Sequence, residues 1–187
     1  MSGVEISPLS GSHVFCTEDQ VADVFGELIA SAKDLYAKVD MKLKLRLSFK
    51  DDGDGYIGTP EMWEKAQNAI KDMAEKFQMD YFIGIGEAAM YGPKMDFMAV
   101  DALGREWQLA TVQLDYAMPT RFGLEYTAED GSKKTPIMIH CALIGSIERF
   151  MSVFIEHTAG WFPFWCAPEQ VRILTINDSV NDYVLKI

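Results

Sequence analysis

Apolar positions recur along the chain in two periods, and the switches between them mark out its elements. Val21, Val24, Phe25, Leu28, Ile29, Ala32, Leu35, Tyr36 and Val39 fall three or four apart, as on one face of a helix. Thr17 and Gln20 ahead of them form a capping box, and Glu18 and Asp19 suit the positive helix end. Trp63, Ala66, Ile70, Met73, Ala74 and Phe77 repeat the helical period behind Thr59 and Pro60, an N-cap and a first-turn proline. Between the two helices, Met41, Leu43, Leu45, Leu47 and Phe49 alternate with Lys42, Lys44, Arg46, Ser48 and Lys50. That is a strand with one wet, basic face. Solvation is the ordinary fate of such a face; contact with a phosphate backbone is the alternative.

The second half changes to short strands. Residues 81–85 read as a strand, and 95–100 and 106–114 as a hairpin across the DALGR turn. Residues 122–126 and 135–140 repeat that arrangement across Glu129, Asp130 and Gly131, and 171–176 is a further apolar strand ahead of a short helix capped by Ser179. Consecutive hairpins with separate helices predict an α+β fold, an antiparallel sheet flanked by helices. In residues 50–61, four positions match a calcium loop. Lys50 stands at the first ligand position and no helix leads in, so the stretch is read as a turn.

Polar residues with chemical capacity fall on these elements. Residues 137–157, IMIHCALIGSIERFMSVFIEH, read as a buried strand over 137–141, a turn at Gly145 and Ser146, and an amphipathic helix that Gly160 stops. His140, Glu148 and Arg149 stand inside this greasy unit. Arg149 and Glu148 are either solvated helix charges, or Arg149 meets a carboxylate or phosphate. Gln108, Thr111 and Gln113 lie on one strand, and Thr111 and Gln113 share a face. Tyr91 and Lys94 sit in the loop GEAAMYGPK. His13 precedes the first helix.

Composition sets bounds. The chain's 187 residues suffice for one domain. A net charge of −11 argues against a module that holds nucleic acid by bulk electrostatics. No apolar run reaches the roughly 20 residues of a membrane helix, and no signal peptide is evident. Three cysteines suit a reducing cytoplasm. Residues 1–12 are small, polar and non-periodic, the pattern of a loose leader.

The motifs then add a resemblance. GSIERF on a strand-to-helix turn resembles the third conserved motif of class II aminoacyl-tRNA synthetases. With MIH, YGPK and WQLATVQLD in the same order and spacing, the chain from about His13 onward is similar to the catalytic core of the threonyl-tRNA synthetases. The resemblance implies ATP-dependent activation of threonine and its transfer to tRNA. It places Arg149 and Lys94 as catalytic cations. Arg149, Gln108, Thr111 and Gln113 fall to ATP; Tyr91, Gln113 and Ser146 line the threonine pocket. HVFC and MIH match the segments carrying two zinc-binding histidines, here His13 and His140. The family's cysteine ligand lies upstream of this chain. Cys16 and Cys141 are near in sequence as substitutes, and hydrogen bonding alone is the other fate of the two histidines. Magnesium accompanies ATP.

Departures from the family pattern shape the expected organisation. The first two class II motifs are absent, and there is no arginine before Arg46. Leu9 and Gly11 stand where the family has a glutamine and an aspartate, and Gly3 where its closing strand supplies an arginine. The expectation is a loose leader over 1–12, a partial core over 13–168, and the start of an anticodon-binding domain over 169–187. Such a core is inactive alone or half of a split enzyme whose protein partner supplies the first two motifs. The alternative is a non-catalytic module binding threonine, an adenylate or a protein.

Overall fold

A computed structural model describes residues 9–187. Its strands are β1 (Leu9–Cys16), β2 (Lys42–Phe49), β3 (Tyr81–Ile85), β4 (Lys94–Val100), β5 (Glu106–Asp115), β6 (Tyr126–Thr127), β7 (Lys133–Lys134) and β8 (Ile137–Ser146). The helices are α1 (Val21–Lys38), α2 (Pro60–Lys76), α3 (Met118–Arg121), α4 (Ile147–His157) and α5 (Asn181–Val184). Six strands form one sheet in the order β1-β8-β5-β4-β2-β3, and β6 pairs with β7 separately. All neighbours in the large sheet are antiparallel except β2 and β3. That pair is parallel because α2 carries the chain back across the sheet between them, the crossover a parallel pair requires.

Strand alternation divides the sheet into two faces. Leu45, Leu47, Met95, Phe97, Val112, Leu114, Ile139 and Cys141 form a core with Phe25, Ile29 and Tyr36 of α1, Ile70 and Met73 of α2, and Phe150 and Phe154 of α4. Full burial of each large side chain contributes about 1.5–3 kcal/mol. The Tyr36 hydroxyl donates to the Leu143 carbonyl at 2.9 Å and ties α1 to β8. Both helix caps follow the sequence: Thr17 and Gln20 form the capping box, ahead of a 3-10 turn, and Thr59 Oγ1 accepts from the Met62 amide.

Five expectations are corrected. The strand at 137–141 continues unbroken to Ser146, because β1 pairs along it as far as Leu9 opposite Ser146. The same pairing makes residues 9–12 strand rather than leader; the rest of that leader, Gly3 included, lies outside the described residues. The expected hairpin of 122–126 with 135–140 does not form: Tyr126–Thr127 pairs with Lys133–Lys134 as the short strands β6 and β7, with α3 ahead of them and Pro136, which has no N–H to donate, behind, while 137–140 opens β8 and pairs with β1 and β5. Residues 171–176 form no strand. Their apolar side chains lie largely open to solvent, with no neighbouring strand to pair with among the described residues. The short helix after them is capped by Asn177 rather than Ser179. No described helix is long and apolar enough to cross a membrane.

Candidate functional site

The face of the sheet opposite the core carries two polar rows that cross the strands at right angles. Register places His13, His140, Gln113, Lys94 and Ser48 side by side from β1 to β2. The adjacent row runs Gly11, Ala142, Thr111, Asp96 and Arg46. Gln108, three residues from Thr111, would point to the core in a regular strand. A bulge puts it right: Phe97 faces Ala110 but Met98 faces Gln108, so Leu109 is the extra residue and Gln108 returns to the polar face.

Gly11 and Ala142 leave a hollow in this face, a cleft of about 470 Å³. His13, His140, Tyr91, Gln108, Thr111, Gln113, Ser146 and Arg149 all line it. Lys94 is the one sequence-expected site residue that does not. Its ammonium, between Gln113 and Ser48 in the histidine row, lies 3.4 Å from Asp96 Oδ2 of the adjacent row.

At one end of the cleft the His13 and His140 rings meet edge to face, with centroids 4.7 Å apart, and Tyr91 stacks on His140 at 4.6 Å. The Tyr91 hydroxyl donates to Gln113 Oε1. Burial, and then the nearby Asp115 charge, raise the Tyr91 phenol above its ordinary value, so it stays a donor at neutral pH. Asp115, fully buried, holds His140 Nε2 at 2.8 Å through Oδ2 while its Oδ1 accepts from the Ala117 and Met118 amides. That bond turns His140 Nδ1 into the ring nitrogen open to a ligand. Cys16 and Cys141 do not supplement the histidines. Both lie in the core, on the sheet's opposite face, because each stands an odd number of residues from its histidine. Among the described residues no group of three His, Cys, Asp or Glu is placed to hold a metal.

At the other end, Gly145 and Ser146 lead into α4 and deliver Arg149 in its first turn. Gly145 is at φ +64°, and a Cβ there would stand 2.6 Å from the Leu109 carbonyl oxygen. Ser146 Oγ donates to Glu148 Oε2 at 2.6 Å, which lowers the Glu148 carboxyl. Arg149 is exposed, lines the cleft and makes no ion pair among the described residues. Arg46 contrasts with it. The wet basic face expected of β2 holds only for Lys42 and Lys44; Arg46 and Ser48 are drawn into contact with Asp96. Asp96 and Asp115 escape a sequence reading. Their only signal is an acidic residue two positions beyond a site residue on the same strand face, Lys94 and Gln113 respectively.

Comparison with known proteins identifies the family. The profile of the family described as tRNA synthetase class II core domain (G, H, P, S and T) matches residues 9–158. The threonine–tRNA ligase of Synechococcus elongatus is 51% identical over 178 residues, 94% of this chain and 30% of that protein. That of Prosthecochloris aestuarii is 46% identical over 179 residues, 94% of this chain and 27% of the relative. The chain thus spans less than a third of the length of these curated relatives. The solved RNA binding domain of threonyl-tRNA synthetase from Cryptosporidium parvum Iowa II superposes with a TM-score of 0.90 at 35% identity, covering 95% of this chain and 44% of that one. An α+β fold, a cleft on the open sheet face and sequence identity along nearly its whole length show that the chain belongs to the class II aminoacyl-tRNA synthetase core family, as a segment homologous to the catalytic core of threonyl-tRNA synthetases.

Proposed function

We propose that the cleft binds threonine at its histidine end and ATP toward Arg149, as part of a threonine-activation site. Arg149 carries the reading. A guanidinium with no carboxylate of its own among the described residues, beside a helix N-terminus, suits a phosphate. Gln108 and Thr111 take the adenosine end, with Gln113 between the two ligands. Tyr91 and Gln113 flank the amino acid, with Ser146 at the edge of its pocket nearer Arg149. In the reaction a substrate carboxylate oxygen bonds to the α-phosphorus of ATP and pyrophosphate leaves. The protein's part is alignment and charge stabilisation, supplied by Arg149 and, from beyond Gln113, by Lys94. The family uses ATP with magnesium.

The two imidazoles fit a zinc site that takes further donors. A ring nitrogen lies about 1.1 Å from its ring centre and bonds zinc at about 2.1 Å, so two rings on one ion stand at most about 6.5 Å apart. The observed 4.7 Å lies within that reach. Zinc, when bound, holds the threonine hydroxyl, a contact that isosteric valine lacks. His13 and His140 would hold it, Asp115 would orient His140, and Tyr91 would close over the ring. Transfer to tRNA, a partner carrying the first two class II motifs, and a cytoplasmic location complete the reading; three free thiols suit that compartment.

The test has two arms. Calorimetry with magnesium should detect ATP binding, at least about tenfold weaker in Arg149→Ala, since a charge-assisted contact is lost. Threonine-dependent exchange of pyrophosphate into ATP should run about 10²–10³ below an enzyme-like rate for these 187 residues alone, because Arg149 is the cleft's single unpaired arginine among the described residues. Exchange restored by adding a protein that bears the first two motifs supports the activation-site reading. Equal ATP binding by Arg149→Ala overturns the nucleotide reading.

A further inference from the structure

Asp96 is wholly buried and does not line the cleft, yet it touches two residues that do. Arg46 Nη2 at 3.0 Å and Ser48 Oγ at 2.6 Å donate to its Oδ2. Gln108 Nε2 at 2.8 Å and Thr111 Oγ1 at 2.7 Å donate to its Oδ1. An ionised carboxylate only accepts, so every one of these groups points a hydrogen inward. A threonine hydroxyl has one hydrogen, and here Asp96 takes it. What Thr111 turns toward the cleft is lone pairs. Gln108 is pinned the same way round by a second contact, because its Oε1 accepts from Arg46 Nη2 at 2.7 Å.

We infer that Asp96 is a positioning residue of the cleft: by taking the Thr111 hydrogen it makes Thr111 an acceptor, and the ligand group seated there is a hydrogen-bond donor. In a nucleotide that group is a ribose hydroxyl or the exocyclic amine of adenine. The inference rests on the nucleotide reading above and adds the polarity of the subsite. A purely structural Asp96 would neutralise Arg46 and Lys94 without affecting which ligand is preferred.

Asp96→Asn separates the two roles. Arg46 only donates, so it keeps the amide oxygen, and the new Nδ2 faces the Thr111 hydroxyl and displaces the Gln108 amide, whose Nε2 can no longer donate there. Thr111 then accepts from Nδ2 and turns its own hydrogen into the cleft. The experiment measures calorimetric affinities of the full chain, with magnesium, for ATP, 2′-deoxy-ATP, 3′-deoxy-ATP and ITP, the last lacking the adenine amine. In the wild type, the analogue missing the donor opposite Thr111 should bind about tenfold more weakly than ATP. In Asp96→Asn that preference should fall to within about twofold, because the subsite no longer asks for a donor. Thr111→Val should erase the same preference while leaving Asp96 and its ion pairs in place, and it decides the matter if Asp96→Asn fails to fold. Arg149→Ala should weaken all four ligands alike. If the wild type binds no ATP, the nucleotide reading falls and takes this inference with it. If ATP binds but no analogue is disfavoured, or if Asp96→Asn or Thr111→Val keeps the wild-type preference, the positioning role alone is overturned.

Discussion

Asp101 shows how one carboxylate organises its surroundings. Its Oδ1 accepts from the Leu103 and Arg105 amides at 2.9 Å, and its Oδ2 from Arg105 Nε at 2.7 Å and Trp107 Nε1 at 3.0 Å. Burial opposes its charge, but these donors outweigh burial and hold the carboxyl well below the usual range. The folded value lies under the unfolded value of about 3.9. The contribution is therefore present above about pH 4 and is lost as pH falls through the folded value. Asp101→Asn should lower the thermal midpoint at pH 7, and the gap to wild type should narrow below pH 4 in circular-dichroism melts; an equal gap at pH 3 and pH 7 would contradict this. The DALGR turn itself is legible in the sequence. That Asp101 also anchors Trp107 is not, since the indole is placed by β5. Asp96 is hidden for a related reason: Met95 and Phe97 on either side mark it as facing away from the core, and a polar residue so placed reads as wet until Arg46 is set opposite it.

Among the elements, the passage from β8 into α4 carries a tight backbone constraint at the cleft. Gly145 combines φ +64° with the close approach of the Leu109 carbonyl. That carbonyl belongs to the bulge that restores Gln108 to the polar face, so two features of different strands depend on one missing side chain. Gly145→Ala should cost about 2–5 kcal/mol in urea unfolding, from roughly 1–2 for the left-handed backbone and 1–3 for the clash. ATP affinity should fall with it, because Ser146 and Arg149 follow directly. A loss under about 1 kcal/mol would mean that the bulge relaxes freely. A glycine here is readable as a chain-direction signal. That it serves a strand contact rather than a turn depends on β1 and β5 pairing to either side of β8, and residues far apart in sequence decide such pairing.

For the molecule as a whole, the separation of the sheet's two faces governs chemistry. Burial pushes the Cys16 and Cys141 thiols up, with the Asp19 charge adding to the shift at Cys16, whereas Cys166 is only partly covered outside the sheet. A maleimide at pH 7.5 should modify Cys166 first and reach Cys16 and Cys141 only under denaturant, as read by peptide mapping; equal labelling of the folded chain would contradict the layered core. The sequence by itself determined α1, α2 and α4, the strands β2 to β5 and the family, because period, caps and motif wording are local and survive without a partner. It also marked His13, His140, Tyr91, Gln108, Thr111, Gln113, Ser146 and Arg149. Only the tertiary structure decided that they share one face, that Cys16 and Cys141 do not join them, and that Asp96 and Asp115 set their orientation. Strand register is the physical reason. A shift of one residue exchanges the two faces of a strand, and register is fixed by the partner strand and the core rather than by the strand's own residues.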